Sequence, residues 1–130
     1  MNSKKKKDEE YDLRFEEALL LRDSGRPHEA LNILSQLLSY DGNRDAGILA
    51  LMGDIYGDAN EPAESTKCFQ KAVELAPTAE IPSLGLFHAL WDSGDRAGAF
   101  AELKRFLSIA QSEEHFRLIE EMRDAAFPEK

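Results

Sequence analysis

The sequence has one cysteine, Cys68, so no disulfide can close within the chain, and nothing else in it argues for a secreted, cross-linked scaffold. Long apolar runs are missing too: none approaches the roughly 18 to 20 residues that a membrane-spanning helix requires. The N-terminal residues carry no apolar stretch of the signal-peptide kind, and a cytoplasmic protein with its start at Met1 is the expectation. Basic charge is scarce, with 16 Lys and Arg against 25 Asp and Glu, a formal net charge of −9. A surface of that sign repels phosphate backbones, so we expect no nucleic-acid partner without a concentrated basic patch. The one basic run, Lys4 to Lys7, stands beside Asp8, Glu9 and Glu10. It reads as part of a solvated, disordered tail over residues 1–8, with a nuclear-import or lipid-binding segment as the alternative. Period-two alternation is absent over any useful length, which argues against strands.

What is present is repetition. An apolar fraction of 42% in 130 residues suffices for one packed domain. Asp23-Ser24-Gly25 recurs as Asp92-Ser93-Gly94, and Asp58-Ala59-Asn60 lies between them, at spacings of 35 and 34 residues. Gly adopts positive φ most readily and Asn is among the next best, so three helix-ending turns are predicted. Pro27 and Pro62 follow two of these turns, close to where proline is favoured in a new helix. After each turn come Ala30, Leu34 and Leu37, then Ser65, Phe69 and Ala72, then Ala99, Leu103 and Phe106. Each set steps by four and then three residues, the spacing of one helical face. Before the turns, Ala18 with Leu21, Gly53 with Tyr56 and Phe87 with Leu90 keep the same offsets. The pattern predicts an all-α protein of three tandem helix hairpins.

The middle repeat resembles the tetratricopeptide repeat (TPR), with Leu49, Met52, Gly53, Tyr56, Phe69, Ala72 and Pro77 in that family's order. The resemblance covers about residues 11–111. It implies a right-handed α-solenoid: a single domain over 9–127, with repeats at about 11–45, 46–79 and 80–111 and a capping helix at about 112–127. In that family the small residue of the first helix lets the second helix approach closely. The departures are local. Arg14 and Glu17 stand where bulky apolar residues are usual, as suits a terminal repeat with no preceding neighbour. Phe87 replaces the small residue of the third repeat and is expected to push its two helices apart or tilt them. Pro82 is expected to start that repeat's first helix late, and Gln111 stands in place of the terminal proline. Ser112 followed by Glu113 and Glu114 reads as the start of the last helix, whose apolar stripe is Phe116, Ile119, Met122 and Ala126. That stripe either covers the third hairpin, fills the groove or pairs with a second copy.

Stacked hairpins make a concave surface lined by the first helix of each pair. The resemblance places Phe15, Leu19 and Arg22 there, then Ala50, Asp54 and Gly57, then Leu84, His88 and Trp91, with Asp23, Asp58 and Asp92 beside them. Small residues in the middle leave room, apolar residues make walls, and the aspartates supply a negative rim. Trp91 reads either as a binding anchor or as core beneath the third repeat or the last helix. The expected partner is a protein or peptide segment, apolar or amphipathic, with basic residues at its edges. Family members that hold the acidic C-terminus of heat-shock chaperones use lysine, asparagine and arginine. Here the matching places carry Phe15, Leu19, Leu51, Ile81 and Gly85, so that partner is not expected.

Catalysis finds no constellation. His28, His88 and His115 fall in different repeats without metal-ligand spacing, and no Gly-Lys-Ser/Thr follows Ser93-Gly94. Cys68 beside Phe69 reads as a packed thiol. The expectation is a non-catalytic interaction module without metal or cofactor, serving as adaptor, chaperone or assembly factor. The alternative is a self-associating structural module, a homodimer formed through the last helix or the repeat ends.

Overall fold

The computed structural model describes residues 3–109 and 116–126. Among these residues the chain forms helices and no strand: α1 (Ser3–Asp23), α2 (Pro27–Leu37), α3 (Gly42–Asp58), α4 (Pro62–Leu75), α5 (Glu80–Asp92), α6 (Arg96–Ile109) and α7 (Phe116–Ala126). Ser112, Glu113 and Glu114 lie outside the described residues, as do the side chains of Phe116 and Ile119.

Three turns set the architecture. Gly25, Asn60 and Gly94 have φ of 77°, 62° and 91°, the left-handed region that the sequence pattern demands at these places. Each turn closes in the same way. The left-handed residue donates to the carbonyl three back: Gly25 N–H to Arg22 at 3.1 Å, Asn60 N–H to Gly57 at 3.1 Å, Gly94 N–H to Trp91 at 3.1 Å. The next residue donates to the carbonyl five back: Arg26 to Leu21, Glu61 to Tyr56 and Asp95 to Leu90, all at 2.9 Å. These paired bonds satisfy carbonyls that a helix end would otherwise leave bare. Pro27 and Pro62 then open α2 and α4, where the missing N–H costs nothing. The third turn has no proline, and the Asp95 carboxylate instead accepts from the Gly98 N–H at 2.8 Å. A further positive φ, 70° at Ser39, follows α2. Its N–H donates to Asp45 Oδ1 at 2.9 Å.

The faces expected to be apolar are the faces that are buried. Ala30, Leu34, Leu37, Ser65, Phe69, Ala72, Ala99 and Phe106 are all buried, and Leu103 is half-buried. One core cluster runs through α1 to α5, from Tyr11 to Ala89. A second gathers Phe87, Ala99 and Phe106 with Met122 and Ala126 of α7, which lies against α5 and α6.

Two local findings differ from or refine the sequence reading. The lysine run lies on α1, which reaches back to Ser3, and Ser3 through Lys7 are exposed on it. Once a helix is nucleated, each added residue brings a hydrogen bond, so it extends cheaply. The start of α1 is also tied down, since the Tyr40 hydroxyl donates to Asp8 Oδ1 at 2.8 Å and the Arg44 guanidinium lies 4.3 Å above the Tyr11 ring. In the third pair, α5 has 13 residues against 17 in α3, and Pro82 sits buried in its first turn. This pair is joined by a polar cluster. The Ser83 hydroxyl donates to Glu102 Oε2 at 2.6 Å, and Arg105 donates to both Glu102 oxygens at 2.8 and 2.7 Å. Arg105 also reaches the Pro77 carbonyl at 2.9 Å, and the hydrogen bonds to Glu102 hold its guanidinium above the usual arginine pKa.

Candidate functional site

The site begins with a ring and two glycines. The Phe69 ring of α4 lies where α3 and α5 come together, against Gly53 of one and Gly85 of the other. A Cβ at Gly53 would sit 2.7 Å from the ring, and one at Gly85 only 2.1 Å from it. Only a residue without a side chain permits such an approach. The Ser65 hydroxyl, one turn earlier on α4, donates to the buried Gly53 carbonyl at 2.8 Å and fixes the same contact.

Phe69 thereby becomes the floor of a cleft of about 500 Å³ whose walls are α3 and α5. Gly53, Asp54, Gly57 and Asp58 form one wall, and Ile81, Leu84, Gly85, His88 and Asp92 the other. A second cleft of about 540 Å³ continues along the same two helices and shares Asp54 and Ile81 with the first. It is apolar, lined by Ala46, Gly47, Ala50, Leu51, Ala76, Ala79 and Pro82 with Glu80 at its edge. A third cavity of about 400 Å³, between α1 and α3, shares Gly47 and contains Phe15, Tyr11 and Arg44.

Of the residues singled out from the sequence, Asp54, Gly57, Asp58, Leu84, His88 and Asp92 come together on the first cleft. Ala50 lines the second and Phe15 the third. Arg22 lines none of the three and acts by charge on Asp54, while its Nε donates to Asp23 at 2.9 Å. Leu19 is half-buried on α1 and lines none of the three. Trp91 is drawn away from the cleft. It stacks on Phe87 at 6.1 Å, meets Phe100 edge-on at 5.6 Å and carries Arg96 4.8 Å over its face. It is half-buried there, packed against the cluster of Phe87, Ala99, Phe106, Met122 and Ala126. Phe69 was not picked out as a groove residue, and Ile81 and Gly85 entered only as inner-face places unable to clamp a carboxylate. Gly85 carried the signal, since glycine inside an apolar helix costs about 1 kcal/mol without a packing reason.

The electrostatics of the first cleft are one-sided. Burial, and then the Asp58 charge, raise the Asp54 pKa above the ordinary carboxylate value, and Arg22 opposes them. Asp54 is still exposed, so its desolvation is partial. Asp58 and Asp92 are exposed as well. Outside the cleft, burial, with Glu64 adding, pushes the Cys68 thiol up, away from the nucleophilic thiolate. Among the described residues no three His, Cys, Asp or Glu side chains are grouped to hold a metal, and no helix is long and apolar enough to cross a membrane.

A helical-repeat scaffold with an open cleft between its first-of-pair helices defines the class. In the middle pair, residues 46–78 match the model of the tetratricopeptide repeat family. Curated protein sequences give no match to this chain. Solved structures do. SycD of Yersinia enterocolitica, a type III secretion translocator chaperone, superposes at TM-score 0.75 and 14% identity, over 92% of this chain and 89% of that one. SycD in complex with a peptide of the translocator YopD gives 0.71 at 16% identity, over 88% and 90%. The first TPR of Spaghetti (RPAP3), bound to the HSP90 peptide SRMEEVD, gives 0.67 at 14% identity, over 88% and 94%. At these identities the likeness is one of fold.

Proposed function

We propose that this chain is a non-catalytic protein-interaction module that holds an apolar or amphipathic, partly basic segment of another protein in the cleft between α3 and α5. The observation that carries this reading is the open cleft above the buried Phe69 ring, with Ile81 and Leu84 on its α5 wall and Asp54, Asp58 and Asp92 among its lining. A lining of that kind suits apolar side chains with positive charge at the edge. Neighbouring folds that hold a YopD peptide or the SRMEEVD peptide support the mode of use. The acidic SRMEEVD chemistry does not suit this cleft, where three carboxylates would repel it.

Gly57 supplies the test. A Cβ there meets only the Ser65 hydroxyl, at 3.5 Å, so Gly57→Leu fills the cleft without forcing the fold apart. Peptides selected from a displayed random library on the wild-type protein should lose most of their affinity for Gly57→Leu. If they bind both proteins equally, the cleft is not the site.

One observation favours a second reading, self-association through a repeat end. Leu13 and Leu20 stand seven residues apart on α1, 71% and 66% exposed, on one stripe of the outermost helix. Met122 and Ala126 of α7, by contrast, are already buried on the third pair. Light scattering across protein concentration separates the readings: a dimer that Leu13→Lys dissolves supports the repeat end, and a monomer throughout removes it.

A further inference from the structure

Resting on the cleft reading above, we propose that the groove is divided in two, with an apolar subsite followed by a subsite for one arginine or lysine side chain of the partner. The apolar subsite is the second cleft, made of Ala46, Gly47, Ala50, Leu51 and Pro82 around Ile81. The cationic subsite is the first, where a long aliphatic stem lies over Phe69 and Leu84 while its charged head meets Asp58 and Asp92. Charge complementarity selects this occupant. Three carboxylates border one cavity, and Arg22, whose charge reaches Asp54, is already hydrogen-bonded to Asp23.

The shared walls also set a spacing. Along α3 and along α5 the linings of the two clefts are centred about six or seven residues apart, roughly 10 Å at the helical rise. A polyproline-type segment presents one face every three residues, about 9 Å, and an α-helix every seven, about 10.5 Å. An extended strand, with same-side residues about 6.6 or 13 Å apart, does not match. The partner motif is therefore an aliphatic residue and a basic one, three apart in a polyproline segment or seven apart on a helix.

The test uses defined probes and amide chemical shifts of the full chain. N-acetyl-arginine amide should move the amides of Gly57, Asp58 and His88, and N-acetyl-leucine amide those of Gly47 and Ala50. The joined probe acetyl-Leu-Pro-Pro-Arg-amide should move both sets and bind about tenfold tighter than either half. Asp58→Asn with Asp92→Asn should abolish the arginine response and weaken the joined probe by about tenfold, leaving the leucine response unchanged. The inference is overturned if the neutral isostere N-acetyl-citrulline amide moves the first cleft as strongly as the arginine probe. It is equally overturned if the double variant keeps the arginine response. In either case, library peptides that depend on Gly57 would leave the cleft reading standing, and their absence would remove both.

Discussion

In the middle pair, α3 and α4 meet over Gly53, and nothing but backbone lies between Phe69 and the helix it packs on. In the third pair the equivalent place holds Phe87, fully buried, and a polar cluster of Ser83, Glu102 and Arg105 ties α5 to α6 and to the preceding loop. Both pairs share the same turn chemistry at nearly the same spacing, yet α3 and α4 touch more extensively than α5 and α6. The repeat pattern thus specifies the path of the chain and not how its helices are joined. Gly85 shows what the third pair gained. It lies two residues before Phe87, about 200° away round the helix, and so faces the preceding pair instead of its own partner. Phe69 is received on both sides, while Phe87 is freed to build a second core with α7.

The sharpest way to break this contrast is Gly85→Ala. The added Cβ falls 2.1 Å from the Phe69 ring, and overpacking of that kind outweighs the helix-propensity gain, for a net loss of about 2 kcal/mol. Gly57→Ala, with its ordinary contact, should instead stabilise the protein by about 0.5 to 1 kcal/mol, and urea unfolding of the two variants measures the difference. Equal effects would mean that Phe69 does not occupy the space between the glycines. Next in size is Glu102→Gln, which keeps the shape and removes the charge that Arg105 bonds. Arg105 is part-exposed, so water offsets some of the loss, and about 1.5 kcal/mol is expected. Amide exchange should show the loss in α5 and α6 and spare α3 and α4; a uniform effect would erase the distinction between the pairs.

The smallest effect is at Asp54. Its pKa is raised in the fold, so the folded state binds a proton more tightly than the unfolded chain. The stability this confers is fully present below the unfolded carboxylate pKa and is lost as pH rises through the folded one. Asp54→Asn should therefore stabilise the protein slightly at neutral pH, within about 0.5 kcal/mol, and leave it unchanged near pH 3. A gain that persists in acid would point to a cause other than the carboxylate charge.

The turns were legible because one conformational demand, a positive φ, selects among very few residues, and Gly25, Asn60 and Gly94 repeat it in register. The buried faces were legible because a four-then-three step has a single geometric meaning. Ser39, also left-handed, was not, since serine occurs in many other conformations and nothing repeats it. Trp91 stayed ambiguous for a different reason. Its helical spacing puts it on the stripe of Leu84 and His88, and the choice depends on packing between elements distant in sequence. The floor of the cleft shows the same limit. Phe69 looks like ordinary core from its own repeat, and becomes groove only when Gly85 of the next repeat arrives beside it. Asp54, Gly57 and Asp58 line the first cleft from α3, inside the repeat that matches the family model, whereas Asp92 reaches it from α5.

Because one ring is lodged in both glycine notches, the third pair cannot fray from the stack without uncovering the surface on which a bound segment would rest. In an array whose units are otherwise coupled only to their neighbours, that makes ligand occupancy and end-fraying a single thermodynamic cycle. A partner lying over Phe69 would favour the docked state of α5 to α7 without touching most of them, and a change that undocks those helices would weaken the partner by the fraction of the docked state it removes.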